Sequence, residues 1–198
     1  MKQIYIVLTH TGTALSTIIK YYTKDEFSHV SISLDEELEE MYSFGRLNPY
    51  NPFWGGFVHE SIKNGTFKRF KNTRTEIYSL NIEDEQYNRL VKIINHFKMN
   101  IQKYSFNILG LACVSIKRKI RRKNNFYCAE FVKHVLKSAG ITSVAELPEI
   151  IKPEDFKKIE GLQLEYKGLL KKYIKRNKPK IKDLMKSMNN KMSYIYKI

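Results

Sequence analysis

The chain of 198 residues is 42% hydrophobic and rich in aromatic residues, which excludes disorder throughout and allows one buried core with an appendage. No apolar run reaches the roughly 18–20 residues of a membrane-spanning helix, and two cysteines, Cys113 and Cys128, are too few for a disulfide framework. The net charge of +15 is concentrated in two places: 117–123 holds six basic residues and no acid, and 166–198 holds eleven against the single Asp183. Such blocks attract anionic lipid headgroups or nucleic acid; a solvated loop and tail account for them equally.

In chain order, Ile4–Thr9 reads as a buried strand and Ala14–Tyr22 as a short helix or loop. Phe27–Leu34 (FSHVSISL) alternates with period two: Val30, Ile32 and Leu34 take one face, His29, Ser31 and Ser33 the other. Asp35–Glu40 is an acidic turn and Met41–Gly45 resumes strand character. Arg46–Ser61, with two prolines and a Gly-Gly pair, reads as a turn-rich loop ending in a strand near Phe57–Glu60. Another strand is expected at Thr75–Leu80. From Asp84, the spacing of Tyr87, Leu90, Val91, Ile94 and Phe97 predicts an amphipathic helix of about four turns. Phe106–Ile116 reads as a buried helix. A further helix is expected over Phe126–Ala139, capped by Asn125 and ended by Gly140. Strands followed by helices predict an α+β fold with one antiparallel sheet.

The helix near Phe126 places Cys128 in its first turn, where unpaired N–H groups and the positive end of the helix dipole favour a thiolate and can hold an oxyanion. Cys128 also shares an apolar stripe with Phe131, Val132 and Val135, a place where cysteine often serves only as core. A thiol nucleophile needs a base held by a third polar group. His29, on the polar face of its strand, is the leading candidate, and His10 the next. His59 and Trp54 sit in or beside the Gly-rich loop and could line a cleft, with Tyr50 and Phe53. His96 and His134 read as surface residues. The five histidines show no zinc-ligand spacing, so neither metal nor other cofactor is expected.

Ser28-His29-Val30, followed about a hundred residues later by Tyr127-Cys128-Ala129-Glu130, resembles the circularly permuted papain-like amidases of the YiiX/YaeF type. These are relatives of the NlpC-type cell-wall peptidases and of lecithin:retinol acyltransferase. The resemblance spans roughly 1–140 and implies a papain-like antiparallel sheet packed against helices. It implies Cys128 as nucleophile and His29 as base, and Tyr127, beside them at the helix start, is a candidate to line the cleft or the oxyanion site. Ala129 stands where the family usually has Ser. The family's orienting residue, often Glu or His on the next strand, aligns with Ser43; Glu40, His59 and Glu60 are alternatives.

The chain is accordingly divided into a hydrolase domain, 1–165, and a basic extension, 166–198. The expected activity is cleavage of an amide in a peptide or acylated amine through an acyl-enzyme at Cys128. Two alternatives stay open: a membrane-associated acyltransferase or lipid hydrolase docked by the basic tail, and a non-catalytic basic binding protein, with nucleic acid the lesser partner. With no export signal recognised, the expected location is cytoplasmic, with peripheral membrane attachment through the tail.

Overall fold

The first strand, β1 (Lys2–His10), is buried on both faces from Ile4 to Thr9, which makes it a central strand. In the computed structural model, which describes residues 1–13, 25–48, 51–107 and 124–176, it lies inside a six-stranded antiparallel sheet. The other strands are β2 (His29–Ser33), β3 (Met41–Asn48), β4 (Asn51–Glu60), β5 (Arg74–Ile82) and β8 (Gln163–Leu169), in the order β4-β3-β2-β1-β5-β8. A short parallel pair, β6 (Ser105–Phe106) with β7 (Asn125–Phe126), stands apart. The helices are α1 (Gly65–Arg69), α2 (Asp84–Met99), α3 (Cys128–Ser138) and α4 (Leu170–Arg176). This is the expected α+β class.

Alternation sorts the sheet residues into two cores. Ile4, Ile6 and Leu8 of β1, Val30 and Ile32 of β2, and Phe44 of β3 face α2 and α3. Tyr5 and Val7, with Met41 and Ile77, face a smaller cluster closed by Phe67 of α1 and by Leu170 and Tyr173 of α4. The α2 helix buries Leu90, Ile94 and Phe97, three of the five apolar positions its sequence spacing marks. The side chain of Gln86 accepts the Glu83 backbone N–H at its start.

Two expectations for the chain's architecture change. The stretch read as a turn-rich loop is mostly strand: β3 continues to Asn48 and pairs with β4 from Met41↔Glu60 to Asn48↔Asn51. An edge strand such as β4 tolerates proline, because one side of its backbone has no neighbour to bond. The division between Glu165 and Tyr166 falls inside β8, which pairs with β5 as far as Arg74↔Leu169. The basic extension therefore begins as sheet and continues into a helix whose Leu170 and Tyr173 are buried. The predicted segment Ala14–Tyr22, most of Phe106–Ile116 with Cys113, the basic run 117–123, and the tail beyond Arg176 lie outside the described residues.

The glycine pair has a steric basis. A Cβ on Gly55 would fall 2.7 Å from the Gly45 carbonyl oxygen and 2.8 Å from Phe106 Cβ, whereas one on Gly56 would meet nothing closer than 3.6 Å. Gly55→Ala should therefore cost about 1–3 kcal/mol through overpacking, and Gly56→Ala should lie within about 0.5 kcal/mol of the parent. Urea unfolding of the two variants checks this; equal midpoints would mean that β4 does not approach β3 and β6 so closely.

Candidate active site

The helix bearing the thiol is held at both ends. Ahead of it, Ser105 donates its N–H to the Asn124 carbonyl at 3.0 Å and Asn107 to that of Phe126 at 2.8 Å, so the β6–β7 ladder fixes the entering chain. Asn125, expected as the cap, lies in β7, and the N-cap is Tyr127, whose N–H donates to Glu130 Oε2 at 3.2 Å. At the other end Gly140 (φ +85°) gives its N–H to the Lys137 carbonyl, and Ile141 gives its own to Leu136. That is a Schellman stop of the kind Gly favours. Between them Phe131 packs at 5.2 Å, ring centre to ring centre, from both Phe44 and Phe97, and at 5.6 Å from Phe57. Burying such a ring is worth roughly 2–3 kcal/mol. Cys128 is thereby fixed as the first helical residue, where its own N–H and that of Ala129 have no acceptor within the helix.

His29 opens β2, and the Cys128 thiol lies near enough to its ring to help raise the ring's pKa. The other side of the ring is held by β4. His29 Nε2 donates to Glu60 Oε1 at 3.0 Å, and Ser31 Oγ donates to Glu60 Oε2 at 2.5 Å while accepting from His29 Nε2 at 3.2 Å. With Nε2 so occupied, Nδ1 is the nitrogen left for the thiol. The ring has room because the β2–β3 ladder is limited to Ile32↔Tyr42 and Ser33↔Met41, and because Gly45 stands opposite it: a Cβ there would lie 3.6 Å from His29 Cε1.

The electrostatics are those of an ion pair. Burial by itself would lower the His29 pKa, but the Glu60 charge, reinforced by the contacts with Cys128 and Glu60, pushes it up to about 10. Burial would likewise raise the Glu60 pKa, and the His29 charge, with hydrogen bonds from His29 and Ser31 and a contact with Ser43, lowers it. Each partner thus favours the charged form of the other, an imidazolium facing a carboxylate. The His29 and Glu60 side chains keep 21% and 14% of their surface exposed, whereas Cys128 keeps 4%. The thiol is thus the most enclosed of the three.

The remaining candidates fall in different places. Ser43, aligned with the orienting position, shares this face and stands close enough to help keep Glu60 ionised, but its buried hydroxyl makes no well-formed hydrogen bond, and the group holding the imidazole is Glu60. Tyr127 turns away: its buried hydroxyl donates to the Ile151 carbonyl at 3.0 Å, so it is not an oxyanion donor. His10 bonds through Nδ1 with Ser28 Oγ at 3.3 Å at the end of β1. His59 lies on the opposite face of β4 from Glu60, stacked 5.0 Å from Tyr42 and donating to the Glu39 carbonyl at 2.9 Å. Trp54 belongs to β4, with its side chain outside what the structure describes. His134 is exposed on α3, as its reading as a surface residue expects, with its ring resting 5.3 Å from that of Phe126 and 6.0 Å from that of Phe97. Ser31 and Gly45 entered the sequence reading only as strand residues; their place opposite the ring follows from a strand register that single-sequence periodicity does not supply.

The described chain is therefore an α+β protein in which a helix-start thiol, an imidazolium and a carboxylate meet beside an antiparallel sheet. No family model and no curated protein matches the sequence. Among solved structures it is similar to the crystal structure of metalloprotein yiiX from Escherichia coli O157:H7, DUF1105, with a TM-score of 0.50 and 13% identity over 85% of this chain and 98% of that one. At that identity the likeness is one of fold, and the fold is YiiX-like. Among the described residues no helix is long and apolar enough to cross a membrane.

Proposed function

We propose that this chain is a cysteine hydrolase of circularly permuted papain-like, NlpC-like type, cleaving an amide in a peptide or acylated amine. The observation that carries the reading is the contact between the Cys128 thiol and a His29 ring whose far nitrogen is bonded to Glu60. In this reading the Cys128 sulfur, beside the positive His29 ring, attacks the carbonyl carbon in its thiolate form, and the N–H groups of the first α3 turn receive the oxyanion. His29 then gives its proton to the departing amine. In the second half the neutral ring takes a proton from water, hydroxide releases the acyl group from sulfur, and the ion pair is restored. Glu60 holds the ring in position and stabilises its charged form throughout. Among the described residues no group of three or more His, Cys, Asp or Glu is placed to hold a metal ion.

The test is alkylation of Cys128 by iodoacetamide across pH. A reactive Cys128 is modified near neutrality far faster than a free thiol, and His29→Ala loses that excess. Labelling of the parent no faster than free cysteine overturns the proposal.

A further inference from the structure

At the edge of the sheet where β1 ends, a cleft of about 450 Å³ opens between the segment preceding β2 and the β5–β8 pair. Its charged lining is Arg74, Lys167 and Lys172 against one acid, Glu26. Glu26 stands 3.7 Å from Arg74 Nη1 and 4.0 Å from Lys167 Nζ, the outer limit of ion pairing, and so neutralises neither closely. Lys167 is also 2.6 Å from Glu76 behind the cleft; that carboxylate is shared with Lys157 at 2.7 Å, and Lys157 is in turn 2.7 Å from Glu154, so that four cations, with Lys172, stand against three acids. Lys172, on α4, has no ion-pair partner among the described residues. The surplus is cationic, and such a surplus beside low-dielectric walls attracts anions.

The walls are Phe27 and the folded-back end of β8. Tyr166 turns its hydroxyl onto the Leu169 carbonyl at 2.9 Å, and a Cβ on Gly168 would strike that hydroxyl at 2.8 Å. The glycine thus lets Tyr166 bend over it and shape the cleft. The position relative to the candidate active site is fixed by register. Thr75, in the lining, pairs with Thr9, and Thr9 pairs with His29, so two inter-strand steps, about 10 Å, separate the cleft from the His29 backbone.

We infer that this cleft receives an anionic group, a carboxylate or phosphate, carried by the substrate on the far side of its scissile amide. The substrate class is then a short acyl amide or peptide bearing a negative charge at the end remote from the bond that Cys128 attacks. This inference rests on the hydrolase reading, but its test does not need turnover.

The experiment is a titration of the full chain carrying Cys128→Ala, followed through the amide NMR signals of Thr75 and Gly168. The probes are glutarate, inorganic phosphate and, as the uncharged control, glutaramide. Saturable shifts with glutarate or phosphate, absent with glutaramide and weakened at least about tenfold in Lys172→Glu and Arg74→Ala, support the inference; the tighter of the two anions tells whether carboxylate or phosphate is preferred. Lys172 is an exposed helix residue, so its reversal leaves the fold intact. Equal shifts with glutaramide, no saturation with either anion, or unchanged affinity in both variants overturns it. Anion binding in a chain whose Cys128 proves unreactive would refute the hydrolase while leaving the anion cleft standing.

Discussion

Glu60→Gln should slow alkylation of Cys128 at neutral pH about a hundredfold, while Ser43→Ala changes it less than about twofold. Glutamine keeps the shape of the side chain and an oxygen for His29 and Ser31, but removes the charge that outweighs the burial of the imidazole. The ring then gives up its proton more readily, and the sulfur loses the positive neighbour that favours its thiolate form. The same pair should shape stability against pH. His29, raised from 6.5 to about 10, contributes fully below 6.5 and progressively less as pH climbs through its folded value. Glu60, lowered from 4.5, contributes fully above that value and is lost as pH falls through its depressed pKa. Both contributions are complete only between 4.5 and 6.5, where the urea midpoint of the parent should exceed that of Glu60→Gln by its widest margin. An unchanged alkylation rate in Glu60→Gln would mean that the carboxylate is a structural neighbour only.

Why Ser43 was the aligned candidate, and Glu60 only an alternative, is a matter of register. Alternation along FSHVSISL is strong enough to place His29 and Ser31 on one face of β2, and the helix beginning near Phe126 is legible from its apolar stripe and Gly140. Counting onward to the next strand reaches Ser43, which does share that face. What periodicity cannot supply is that β4 folds back along β3 so that Glu60 pairs with Met41, two positions from Ser43 on the same face. Nor does it show that Gly45 leaves the gap across which the carboxylate meets the ring. The prolines of Arg46–Ser61 hide all but the Phe57–Glu60 end of that strand, because proline marks a turn in a lone sequence and an edge strand only once neighbours are known. The lone acid closing the apolar FVHE stretch was the available signal, since Glu60 is too enclosed to lie there unpaired. The C-terminal boundary failed for a related reason. Lysines on β8 and α4 read as a solvated tail, yet Lys167 is an ion-pair partner of Glu76, which is only 2% exposed.

That boundary leads to the other large effect. A chain ending at Glu165 should be close to unfolded at room temperature, whereas one ending at Arg176 should keep the parent's melting temperature within a few degrees. The shorter chain loses the β8 residues paired with Arg74, Thr75, Glu76 and Ile77, and with them the cover over one side of β5. It loses the burial of Leu170 and Tyr173, roughly 1.5–3 kcal/mol for a side chain of that size, and the hydrogen bond from the Tyr173 hydroxyl to the Glu36 carbonyl at 2.8 Å. It also leaves the buried Glu76 with Lys157 as its only cation among the described residues, and the bonds from Lys157 and Lys167, with that from Tyr78, are what bring that carboxylate's pKa down to about 2 against the effect of burial. Together these losses reach the 5–15 kcal/mol by which a domain of this size is stable. Membrane or nucleic-acid binding assigned to the basic tail must therefore be tested by truncation after Arg176, since a cut at Glu165 would abolish binding by removing part of the sheet. Thermal unfolding of the two truncated chains decides the point: a cooperative transition at the parent temperature in the shorter one would show that β8 and α4 are dispensable additions to a five-stranded sheet.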